Sequence, residues 1–149
     1  MSTLRQKHHL VYLPTWLSQA CKFLAVGMLN TLVDAGVYLA LTRGLPFFAA
    51  TPAPAKAISY TAGVLNSFYW NKTWTFRSRA KAQRTFLTFV MVNLLGVLLN
   101  AVAMYLSLTL MGLPEGLSFG LASGATLAWN FTASKFIVFK NPTELNYGG

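Results

Sequence analysis

Four long apolar runs, almost free of charge and separated by short segments that hold most of the cations, dominate this 149-residue chain. A helix of ~20 apolar residues crosses the ~30 Å hydrocarbon layer, because each residue advances ~1.5 Å. Lipid offers the backbone no hydrogen-bond partners, so such runs are forced into helices that satisfy themselves. The runs fall at about 23–42, 55–71, 86–111 and 117–134. They predict an all-α membrane protein of four transmembrane helices. Charged residues make up 10% of the chain, against about 25% in ordinary soluble domains.

The net charge is nevertheless +9. On a soluble domain this excess would suggest nucleic-acid binding. Here the cations flank apolar runs and act as topology signals, so no nucleic-acid partner is expected. Arg5, Lys7 and Lys22 precede the first run, and Lys72, Arg77, Arg79, Lys81 and Arg84 lie between the second and third. Lys135 and Lys140 follow the fourth, which puts ten of the twelve cations on one side and leaves Arg43 and Lys56 on the other. The positive-inside rule assigns the ten to the cytoplasm. Both termini are therefore expected there, in a multi-pass protein of the cytoplasmic membrane.

Residues 1–22 read as a cytoplasmic or interfacial leader with Trp16 at headgroup level. They lack the compact apolar core and cleavage site of a signal peptide. Residues 23–140 form the membrane domain and 141–149 a cytoplasmic tail. The link GLPFFAATPAP breaks the helix after the first run. Gly112 to Gly116 make a tight turn before the fourth. The single cysteine, Cys21, has no internal disulfide partner, and His8 and His9 belong to a polar leader rather than a metal site. No metal or cofactor is expected.

The chain also repeats itself. Residues 67–77, SFYWNKTWTFR, align without a gap on residues 130–140, NFTASKFIVFK. Phe68 matches Phe131, Lys72 matches Lys135 and Phe76 matches Phe139; a weaker match joins Phe23 to Phe89 and Asp34 to Asn100. This predicts two helical hairpins in parallel orientation, an arrangement transporters use with a pathway at the repeat interface.

The stretches FLAVGMLNTLVDAGVYLAL, SFYWNKTWTF and NFTASKFIVF resemble the signature segments of the GtrA-like family, over about residues 21–140. The two Phe-x-x-Asn/Ser-Lys-x-x-x-Phe endings are the specific part. The resemblance implies a small four-helix membrane protein of cell-surface polysaccharide synthesis. Its implied partner is a polyprenyl-phosphate lipid, typically undecaprenyl phosphate or its glucosylated form. Ile137 stands where the first copy has Trp74, so the two halves are not expected to bind alike.

Within the runs, polar and small residues recur at helical spacing and share faces. Asn30 and Asp34 do so in the first; Ser59, Gly63, Asn66 and Trp70 in the second; Asn93, Gly96 and Asn100 in the third; Ser123, Thr126 and Asn130 in the fourth. Such stripes suit either a hydrated headgroup groove or close helix packing. Gly120 and Gly124 read as packing. Asp34 lies ~12 Å inside the outer edge, where a carboxylate is costly and its partner must be named. Its candidate partners are Asn100, Asn30 and Lys56; it would accept hydrogen bonds from sugar hydroxyls or titrate with substrate movement, the alternative being a plain structural pair with Lys56 or Arg43. Lys72 and Lys135 at one end, with Arg43 and Lys56 at the other, could receive a phosphate as point charges; Lys72 and Lys135 read equally well as helix-end anchors.

There is no nucleophile–base pair, P-loop or metal-ligand cluster, so no enzyme activity is expected. The reading is a lipid-linked sugar flippase, with a homodimer expected because four short helices enclose little volume. Two alternatives stay open: a small multidrug exporter with Asp34 as the proton-coupled acid, and a scaffold recruiting a membrane glycosyltransferase through the basic loop.

Overall fold

The computed structural model describes residues 15–140. Arg5, Lys7, His8 and His9 of the leader and the tail at 141–149 lie outside the described residues. Helix and short connections account for all of the described chain, with no strand among the described residues.

Helix α1 covers Thr15–Gly44, α2 Pro46–Ala50, α3 Pro52–Trp70, α4 Ala82–Tyr105 and α5 Glu115–Ala133. α1 thus begins inside the segment read as leader. Proline sets the early boundaries. Leu45 is extended (φ −128°, ψ 117°) as a residue before proline tends to be, and Pro46 opens α2. Thr51 makes the second break, and Pro52 and Pro54 sit in the first turn of α3, where a missing N–H removes no helical bond. The link is therefore one helical turn between two breaks.

Three of the long helices end by widening. Residues Asn71–Thr75 after α3, Leu106–Leu110 after α4 and Ser134–Val138 after α5 form π-helical segments. Each closes with an amide bonded five residues back: Phe76 N–H to Asn71 O (2.9 Å), Met111 N–H to Leu106 O (3.1 Å) and Phe139 N–H to Ser134 O (2.8 Å). The first two continue into left-handed residues, Arg77 (φ 48°) and Gly112 (φ 64°). Ser78 N–H then reaches Lys72 O and Leu113 N–H reaches Ser107 O, which satisfies carbonyls that a helix end leaves free. Glycine adopts that backbone freely, whereas Arg77 adopts it at a cost of roughly 1–2 kcal/mol.

The burial pattern is inverted relative to a water-soluble domain. Large apolar side chains such as Met28, Leu32, Leu94 and Leu98 are exposed, Leu32 by 70%, while Ser59 and Ser118 are wholly buried. Isolated apolar exposure is normal, but sheets of it mark a surface meant for lipid. α1 and the 29-residue rod Ala82–Leu110 are long and apolar enough to cross a membrane, with mean hydropathies of 1.6 and 2.2. α3 and α5 are shorter, and their polar stripes dilute the apolar character that such a test reads.

α1 pairs with α3, and α4 with α5. The starts of α1 and α4 and the ends of α3 and α5 lie together, which gathers Lys22, Lys72, Arg77, Arg79, Lys81, Arg84, Lys135 and Lys140 at one end. Phenylalanine joins the two hairpins there. Phe76 stacks on Phe139 with centroids 5.2 Å apart and planes 16° apart. Phe68–Phe139 (6.0 Å, 34°) has a counterpart in Phe131–Phe76 (6.1 Å, 35°). Phe23–Phe131 and Phe89–Phe68 are each 5.6 Å, and Phe23–Phe76 at 6.2 Å answers Phe89–Phe139 at 5.9 Å. Val92, Ala133 and Val138 complete this core.

Candidate functional site

Asp34 sits on α1 one helical turn before Tyr38, and Lys56 and Ser59 sit three apart on α3, so each set shares a face. Antiparallel pairing of α1 and α3 brings the faces together. Lys56 Nζ donates to Asp34 Oδ2 at 2.6 Å, and Ser59 Oγ–H donates to Asp34 Oδ1 at 2.6 Å. Both carboxylate oxygens are thereby engaged. Lys56 Nζ also stands 6.0 Å from the centroid of the Tyr38 ring. The Asp34 side chain is 22% exposed and that of Lys56 57%, so the carboxylate is held inside and the ammonium reaches out. Lys56–Asp34 is the single ion pair among the described residues.

This pairing explains how a carboxylate is tolerated there, since Lys56 neutralises the charge and the Ser59 hydroxyl donates to the second oxygen. It also leaves chemistry available. An ammonium has three donors and one is spent on Asp34. The outward remainder can meet an anionic group.

The other residues singled out from sequence take different places. Asn100 is not beside Asp34: its Nδ2 donates to Thr126 Oγ1 at 3.1 Å, because α4 pairs with α5. Asn30 does not bond Asp34 either. Its Oδ1 is buried without a hydrogen-bond partner and faces Gly63, where a Cβ would come within 3.0 Å. Asn130 Oδ1 is likewise unpartnered and lies against Gly96, 2.5 Å from where a Cβ would sit. Asn66 Nδ2 is buried without a partner. Arg43, in the last turn of α1, is exposed.

Lys72 turns out to be a staple. Its Nζ donates to the carbonyls of Ser78 (2.8 Å) and Ala80 (2.6 Å), closing the basic loop over the end of α3. Lys135, its match in the other hairpin, stands 5.3 Å from the Phe136 ring centroid. The two lysines therefore do not form equivalent phosphate stations. A Cβ on Gly120 or Gly124 would meet nothing within 4 Å, so neither glycine is needed for close packing among the described residues.

Sequence reasoning placed Ser59 on a stripe but did not give it to Asp34; its spacing of three from Lys56 was the available signal. The Trp129 Nε1 bond to Val92 O (3.0 Å) was missed, since a main-chain acceptor leaves no trace in sequence. Trp70 is exposed beside Trp74, with ring centroids 6.4 Å apart. Lys22 Nζ lies 5.5 Å from the Trp74 ring centroid.

Comparison with known proteins agrees with a membrane-spanning chain. The chain belongs to the family described as GtrA/DPMS, transmembrane domain, which matches residues 22–139. It is thus a membrane protein of the GtrA-like kind. The uncharacterized membrane protein YngA of Bacillus subtilis (strain 168) is 37% identical over 86 residues, or 57% of this chain. The chain spans about half the length of that relative, 55%.

Proposed function

We propose that the chain moves a polyprenyl-phosphate-linked sugar, or the bare polyprenyl phosphate, across the cytoplasmic membrane for cell-surface polysaccharide synthesis. The observation that carries this reading is the Asp34–Lys56–Ser59 network, a charged and hydroxyl-bearing station within apolar helices. A sugar phosphate offers what such a station can recognise: an anion for Lys56 and hydroxyls for Asp34. The family's association with membrane sugar lipids points the same way.

The architecture behind the reading is four spans built as two parallel hairpins with both termini in the cytoplasm. The paired distances of the phenylalanine cluster support the repeat, and the collection of cations at one end supports the orientation. Undecaprenyl phosphate is the lipid proposed, a homodimer the assembly, and a membrane glycosyltransferase the enzyme that would supply or use the cargo. No catalytic step is assigned to the chain itself.

A drug exporter fits less well, because a cationic substrate would meet a carboxylate already neutralised by Lys56. The test is reconstitution of the purified chain into liposomes with a fluorescent polyprenyl-phosphate sugar, followed by quenching of label in the outer leaflet. Protein-dependent exchange between leaflets is expected. Folded protein that leaves the label where it was placed refutes translocation and favours the scaffold.

A further inference from the structure

Between the amino-terminal half of α1 and the widened end of α3 lies a cavity of about 290 Å³ lined by Ala25, Val26, Leu29, Trp70 and Trp74. Its walls are carbon, with two exposed indoles set edge to face. Lys22 stands at the rim, its ammonium over the Trp74 ring. No carboxylate among the described residues lies within ion-pair distance of it.

The packing does not require these residues. In the second hairpin the matching positions are Thr88, Ala133 and Ile137, yet that half keeps Phe89, Phe131, Phe139 and Lys135 and forms its share of the aromatic core. The first hairpin therefore presents an aromatic, cation-capped cleft that the scaffold can do without. Large exposed indoles beside a cation that pairs with no described carboxylate suit a ligand with an apolar body and an anionic head, placed at headgroup level. The volume is at the lower edge of small-ligand sites, which begin at roughly 300 Å³, and suits one chain rather than two.

We propose that this cleft seats the first isoprene units of a polyprenyl monophosphate, with the Trp70 and Trp74 faces against the branched chain and Lys22 on the phosphate. The lipid class rests on the translocation reading above; the site is separate from the Asp34–Lys56 station and lies at the opposite, basic end of α1.

The test is native mass spectrometry of the full chain in detergent with three probes: undecaprenyl monophosphate, undecaprenol and dioleoyl phosphatidylglycerol. Lys22→Gln is expected to weaken the monophosphate about tenfold, as loss of a charge-assisted contact does, and to leave undecaprenol unchanged. Trp74→Ile, which copies the other hairpin and so preserves the fold, is expected to weaken both polyprenyl probes. The cleft is overturned if both variants bind the monophosphate within about twofold of wild type. It is also overturned if phosphatidylglycerol binds as tightly and responds equally to both substitutions, the mark of a general anionic-lipid surface. Wild-type protein that shows these binding differences but flips nothing refutes translocation alone; flipping with unaltered binding in both variants refutes the cleft alone.

Discussion

Gly96→Ala tests the contact between α4 and α5 most directly. The added Cβ would lie 2.5 Å from Asn130 Oδ1, 3.2 Å from its Cγ and 3.3 Å from its Nδ2. Overlap of this size forces the amide to rotate or the helices to part. Inserting a methyl into a packed site costs typically about 1–3 kcal/mol. Against that, alanine in place of glycine favours a helix interior by about 0.8–1.0 kcal/mol. A net loss of about 0–2 kcal/mol against wild type is expected, and about 1–3 kcal/mol against a glycine replaced by alanine where nothing obstructs the methyl. Gly63→Ala meets Asn30 Oδ1 at 3.0 Å and should lose less, while Gly120→Ala and Gly124→Ala meet nothing and should not lose stability. Reversible SDS-driven unfolding in mixed micelles, followed by helical signal, measures all four. Asn130→Ala added to Gly96→Ala removes the obstructing amide, so the double variant should recover about 1 kcal/mol relative to additivity. Stability of Gly96→Ala equal to that of Gly120→Ala, or strict additivity with Asn130→Ala, would refute the reasoning.

Three further outcomes follow from named contacts. Asp34→Asn keeps a partner for Ser59 but removes the charge; purified and folded, it should slow flipping at least about tenfold in liposomes, and Lys56→Gln added to it should restore thermal stability without restoring flipping. Wild-type flipping by Asp34→Asn would remove that carboxylate from the mechanism. Reporter fusions in the loop containing Arg77 and Arg79, and after Gly149, should report cytoplasm and one near Pro52 the outer side; an outward basic loop contradicts the parallel hairpins. Lys72→Gln gives up bonds to the carbonyls of Ser78 and Ala80, so trypsin should cut at Arg77 or Arg79 faster than in wild type, with no such change for Lys135→Gln.

Much of this was legible in the chain because lipid allows so few solutions. Apolar runs of sufficient length could only be helices, and prolines at 46, 52 and 54 marked where α1 stops and α3 starts. The Lys-x-x-x-Phe endings revealed the matching ends whose phenylalanines form the core. What could not be read is rotation and register between helices. Stripes told which face of α4 holds Asn100, but not that Thr126 rather than Asp34 would meet it. Nor does the sequence disclose that Lys72 ties down the basic loop, because its acceptors are carbonyls, which every residue possesses. The π-helical endings depend on bonds reaching one residue further back, a change without any compositional mark.

The stacking of Phe76 on Phe139 has a consequence for ancestry. On the duplicated-hairpin reading these are the same residue in two copies, so the contact is isologous: a single hairpin would bury that patch against its own twin. The present chain is then a covalently tied pair, and the tie releases each half from having to serve both roles. Asp34 and Lys56 correspond in the repeat to Asn100 and Phe119, and Trp74 corresponds to Ile137. The charged pair thus belongs to the amino-terminal half, where the carboxyl-terminal half has an amide and a phenylalanine. Exchanging the halves, with the linker rejoined, should preserve the aromatic joint and carry the reactive side chains with the hairpin that owns them.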